Sequence, residues 1–148
     1  MSFRTRAVEL VFRVLGVLVL AVAAIHLYAT SLVRDHVLAR IDEARLRALV
    51  SPGYLLDHVL VGVLLVPIGF LMVWSSGALG HGRRWAYVVN LSFSLAFLTM
   101  PPLVLGLAAG PELGAPAFAL AAALVSVVAA GSLGVLLWAR GDYRSEPS

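Results

Sequence analysis

The sequence predicts an all-α integral membrane protein, a four-helix bundle with an additional amphipathic helix between the first and second spans. Four long apolar runs, 8–33, 54–74, 85–109 and 116–139, occupy most of the 148 residues. Each reaches the roughly 20 residues that a helix needs to cross a hydrocarbon core about 30 Å thick. Composition agrees, since 61% of residues are hydrophobic and the mean hydropathy is +0.95, against roughly 45–50% apolar residues in a soluble domain. What remains is a short N-terminal segment, one polar stretch, two small loops and a nine-residue tail. The chain therefore reads as a single membrane domain, 1–148, with no soluble catalytic module.

Taken in order, the first run follows Arg4 and Arg6 and reads as an uncleaved span. Its apolar stretch outlasts the roughly 7–15-residue core of a secretory signal, and Arg13 interrupts it four residues after Glu9, where a helical ion pair can anchor the interface. In the polar stretch 34–50, Val37, Leu38, Ile41, Ala44 and Ala48 recur at helical spacing while Arg40, Asp42, Glu43 and Arg47 fall elsewhere. That pattern predicts an amphipathic helix lying on the outer leaflet or capping the bundle. Ser51 and Pro52 then read as the cap and first-turn proline of the second span. Pro67 in the second run and Pro101 with Pro102 in the third predict kinks, because each removes an N–H donor and crowds the preceding turn. In the fourth run Ala119, Ala123, Ser126, Ala130 and Gly134 share a face, and Gly62 and Gly69 share one in the second. Small residues in such stripes let helices approach closely, which is how helices associate in lipid.

Net charge is +3 and all eleven basic residues are arginine. They sit at the span ends and not in one stripe with interleaved aromatics, so they predict topology and argue against a nucleic-acid partner. Seven of them (4, 6, 13, 83, 84, 140, 144) would share a side with both termini and four (34, 40, 45, 47) would lie opposite. This asymmetry predicts a multi-pass protein of the cell (inner) membrane with both termini cytoplasmic. Trp74, Trp85 and Trp138 fall at span ends on that same side, where an aromatic belt belongs. The chain has no cysteine, which excludes disulfides and thiolate metal sites within it.

Ionisable residues inside a span are costly and each calls for a role. His26, Asp57 and His58 qualify. Gly16, Ala23, His26 and Thr30 share one side of the first helix, and His58, Gly62, Leu65 and Gly69 one side of the second, so the two imidazoles approach if those sides meet. Asn90 and Ser94 add polar groups one turn apart on the third helix. Two facing histidines can ligate haem b axially. With Asp57 they can hold a divalent metal, although residues 57 and 58 point about 100° apart on a helix, which weakens that ligand set. Asp57 beside a histidine can relay protons, serve acid/base chemistry in a membrane enzyme or handle a lipophilic molecule such as a quinone. The bland alternative is a histidine that hydrogen-bonds a neighbouring backbone or snorkels to the headgroups, and no catalytic motif decides among these. His36 and His81 read as solvated.

The layout of a first span with a late histidine, a polar segment, and a glycine-rich basic turn, Gly80-His81-Gly82-Arg83-Arg84, running into Trp85 resembles the small bacterial four-span proteins of the DoxX-like kind and several uncharacterised families of that size. The resemblance implies a prokaryotic membrane protein from families that mostly lack an assigned activity, some of whose members resemble accessory subunits of redox complexes, and no functional residue carries over from it. Arginine-only basic usage with abundant Ala, Val, Leu and Gly points the same way, to a GC-rich prokaryotic genome. On these grounds the chain is expected to be a non-enzymatic or accessory component that joins a homo-oligomer or larger membrane complex.

Overall fold

A computed structural model describes residues 2–40, 44–107 and 116–143. Four long helices, α1 (Phe3–Leu38), α2 (Ala44–Gly80), α3 (Arg84–Leu107) and α4 (Pro116–Ala139), are followed by a 3₁₀ turn over Arg140–Tyr143, and no strand occurs among the described residues. All four helices are long and apolar enough to cross a membrane, with apolar windows at Phe3–Tyr28, Val59–Gly80, Arg84–Leu103 and Ala122–Tyr143. The protein is thus an all-α, multi-pass integral membrane protein.

The stretch 34–50 corrects one expectation. It forms no separate amphipathic helix: 34–38 ends α1, a turn covers 39–40, and 44–50 opens α2, while 41–43 lie outside the described residues. Outside 41–43, its helical residues belong to extensions of the two spanning helices past their apolar windows. Ser51 and Pro52 cap nothing, since α2 runs through Pro52 as it does through Pro67, and α3 runs through Pro101 and Pro102. Transmembrane helices tolerate proline where neighbouring groups take up the freed backbone.

The chain divides into two compact units, 14–73 and 1–13 with 74–148. The first unit is a helical hairpin in which α1 and α2 run antiparallel through glycine contacts. A Cβ on Gly16 would stand 2.7 Å from Val73 Cγ2 and 2.9 Å from the Gly69 carbonyl oxygen, and one on Gly69 would stand 2.8 Å from Leu20 Cγ. Further along, a Cβ on Gly62 would meet Leu27 Cδ2 at 2.5 Å. Ala23 is fully buried between these contacts. Helix backbones come this close only where side chains are absent, and dispersion then acts over a long seam.

The second unit joins the opening of α1, the end of α2, and α3, α4 and the 3₁₀ turn. Val8, Phe12, Leu79, Ala86, Leu136 and Ala139 form its fully buried apolar core. Ser2 caps α1, its Oγ accepting the Thr5 N–H at 3.1 Å while Thr5 Oγ1 donates to the Ser2 carbonyl at 2.9 Å. The reversal from α2 into α3 is a Schellman turn. Gly82 sits at φ 74°, and the Gly82 and Arg83 N–H groups donate to the Leu79 and Ala78 carbonyls at 2.9 Å. Leu79 O also accepts from Tyr143 Oη at 3.2 Å, and the Tyr143 ring stacks on Tyr87 at 4.9 Å between centroids. Four residues read from sequence as tail are therefore structural: they close the end of this unit.

Candidate functional site

Polar residues gather in both units. In the hairpin, His26 is partly buried, with its Nε2 sealed from solvent. Its Cδ2 lies 3.6 Å from where a Cβ on Gly62 would be. One turn on, the buried Thr30 hydroxyl donates to the His26 carbonyl at 2.7 Å, the usual way a membrane helix satisfies a hydroxyl in its interior. With residue 62 facing 26 and 27, the antiparallel register sets backbone position 58 near the level of Thr30, about 6 Å beyond His26 along the helices. The side chains of Tyr54, Asp57 and His58 lie outside the described residues, as does that of His36. The metal and acid/base readings that depend on them rest on the sequence. Among the described residues no three His, Cys, Asp or Glu converge on one point.

The second unit carries a buried polar layer. Asn90, fully buried, donates through Nδ2 to Ser75 Oγ at 2.7 Å and to the Ala86 carbonyl at 2.8 Å, linking α3 to α2. Its Oδ1 is buried with no partner among the described residues. A turn further along, Ser132 Oγ lies 2.9 Å from the Ala129 carbonyl and 3.0 Å from Ser94 Oγ. A hydroxyl has a single proton, so when Ser132 gives it to the carbonyl, Ser94 is the donor that ties α3 to α4. Glu9 and Arg13 pair at 2.7 Å, and a Cβ on Gly80 would fall onto the Glu9 carboxylate. Asn90 and Ser94 stand out in the sequence as polar positions on an apolar helix; their partners Ser75 and Ser132 do not. A serine inside an apolar run looks the same whether it bonds its own helix, as Ser126 does to the Ala122 carbonyl at 2.9 Å, or a neighbour.

The stripe on α4 has a different setting. Ala123, Ala130 and Gly134 are exposed and Ser126 is half-buried, while the Ala119 side chain lies outside the described residues. No atom comes within 4 Å of a Cβ position on Gly131 or Gly134. The packed face of α4 is instead Ala129, Ser132, Leu136 and Ala139, roughly 140° round the helix from the stripe at about 100° per residue. An open cleft of about 360 Å³ at the end of this unit is lined by Ser2, Thr5, Gly80, His81, Gly82 and Asp142. Comparison with protein-family models, with curated proteins and with solved structures finds no match to this chain.

Proposed function

We propose that this membrane protein is a non-enzymatic, accessory component of a membrane complex, assembled by pairing α4 with α4 of a second copy. The proposal includes its place, a prokaryotic inner membrane with both termini cytoplasmic, the side favoured by seven of the eleven arginines. The observation that carries the reading is the outward stripe of α4, where Ala130 and Gly134 are exposed and Gly134 has open space above it. A helix face that meets only lipid gains nothing from glycine, which costs about 1 kcal/mol relative to alanine in a helix. Within the hairpin, Gly16, Gly62 and Gly69 are each covered by the opposing helix, so this chain makes its helix contacts through such residues. Ser126, Ala130 and Gly134 repeat at four-residue steps, the spacing of close parallel pairs. Copies inserted with one topology present that stripe in parallel, so it is self-complementary about a two-fold axis along the membrane normal. A role within a complex also accords with the DoxX-like layout.

The absence of native cysteine makes the test direct. Ala130→Cys and Gly134→Cys, oxidised in native membranes before detergent is added, are expected to give disulfide-linked dimers, and Val128→Cys on the other side of α4 is not. No dimer at 130 and 134, or equal yield at 128, overturns the reading.

A second reading, binding of haem b, quinone or another lipophilic molecule through His26 and His58, is favoured by the buried Nε2 of His26 inside the first span. Because Leu27 fills the space against Gly62, it suits a ligand that meets one imidazole, such as a quinone, better than a porphyrin held between the two helices. An absorption spectrum and quinone extraction of protein purified from its own membrane test it. A colourless preparation free of quinone ends it.

A further inference from the structure

We propose that the end of the second unit is a binding surface for anionic phospholipid headgroups, built from Arg4, Arg6, Arg83, Arg84 and Arg140. All five are exposed. They come from three chain segments that the fold joins at one end: the Ser2 hydroxyl donates to Asp142, Tyr143 donates to the Leu79 carbonyl, and a Cβ on Gly82 would lie 3.5 Å from the Asp142 carbonyl oxygen. The acidic groups facing them among the described residues are Glu9 and Asp142. Glu9 is matched by Arg13 at 2.7 Å. Among the described residues these groups carry a formal excess of positive charge, five guanidinium groups against one carboxylate.

Depth identifies the ligand. Trp74, Trp85 and Trp138 are 61%, 44% and 48% exposed in the same unit, and indole rings settle at the boundary between acyl chains and headgroups. Arg84 precedes Trp85, Arg140 follows Trp138 by two residues, and the Arg4 guanidinium lies 5.3 Å from the Trp138 ring centroid. That cation–π contact holds the charge at the level of the belt. The arginines therefore stand where lipid phosphates stand, and a guanidinium offers a phosphate two parallel N–H donors. The charges surround helix ends at belt depth, a geometry that meets headgroups from the side.

The test uses the full chain in neutral detergent, titrated with phosphatidylglycerol or with phosphatidylcholine of the same acyl chains. Bound lipid is read by native mass spectrometry. Phosphatidylglycerol is expected to bind more tightly, with a preference that collapses near about 0.5 M salt, where screening shortens to a few ångströms. The triple variant R4Q/R84Q/R140Q should lose affinity by about fivefold per arginine, while R4K/R84K/R140K retains most of it. Arg34→Gln with Arg40→Gln, which belong to the hairpin unit and not to this end, should leave it unchanged. Equal affinity for the two lipids in the unmutated protein overturns the proposal. So does a folded triple glutamine variant that binds as the parent does. Displacement by inorganic phosphate or by a polyglutamate peptide as readily as by the anionic lipid would show a general anion or acidic-protein surface, and also overturns it.

Discussion

Gly69 and Gly16 face each other across the α1–α2 seam so closely that a methyl group on Gly69 would come within 2.9 Å of the Gly16 carbonyl oxygen and 3.0 Å of the Leu20 amide nitrogen. The obstacle is backbone, which cannot move aside without the helix. At Gly62 the obstacle is the Leu27 side chain, which can rotate. This difference orders the consequences of filling the seam.

Gly69→Ala should destabilise the hairpin by about 2–3 kcal/mol and Gly62→Ala by less, on the order of 1 kcal/mol, as overpacking does. Adding Leu27→Ala should recover part of the Gly62→Ala loss and none of the Gly69→Ala loss. Gly77→Ala, with no atom within 4 Å of the new methyl, should be neutral or slightly stabilising. Unfolding of the purified protein in mixed micelles measures all five variants, and a Gly69→Ala variant as stable as Gly77→Ala would refute the seam.

Asn90 bonds two helices from a fully buried position. Asn90→Ala is expected to cost about 1–3 kcal/mol, since it removes both bonds and leaves a void. Ser75→Ala should cost less, about 0.6 kcal/mol, the average for an interhelical bond in a membrane protein. Thermal unfolding in one detergent separates the two, and a Ser75→Ala loss equal to that of Asn90→Ala would contradict the assignment.

Tyr143→Phe keeps the ring on Tyr87 and removes the donor to Leu79 O, which should lower stability by about 0.5–1.5 kcal/mol. Tyr143→Ala also removes the packing and should cost about 3–5 kcal/mol. A chain ending before Tyr143 that melts like the parent would show that the 3₁₀ turn does not hold this end together.

Gly82→Ala places a side chain at φ 74°, a left-handed conformation that costs an L-residue about 1–2 kcal/mol. Its midpoint of unfolding should fall accordingly, whereas Gly82→Asn, a residue that tolerates this region, should fall by less. Equal losses in the two variants would count against the Schellman reversal.

How much of this was legible in the chain divides along physical lines. Hydrophobic length sufficed for four helices, because lipid leaves a backbone few alternatives to helical pairing. Pro52 and the polar stretch misled on where helices end: Pro52 looks like a start signal, yet α2 runs through it, as a helix can when its freed carbonyls find other partners. Asn90 and Ser94 announced themselves as polar groups on an apolar helix, while Ser75, Ser132 and Tyr143 did not, because a hydroxyl's partner is set by a neighbour distant in sequence.

Hydrophobic length and spacing are enough to place this protein in a membrane, to make its apolar runs helix-forming, and to mark which helix faces carry small residues. What meets those faces emerges only once the helices pack: Gly16, Gly62 and Gly69 are closed against the opposing helix, and Gly134 is left open on α4. Periodicity along a helix records which residues share a side, but neighbours in space are chosen by packing across the whole chain.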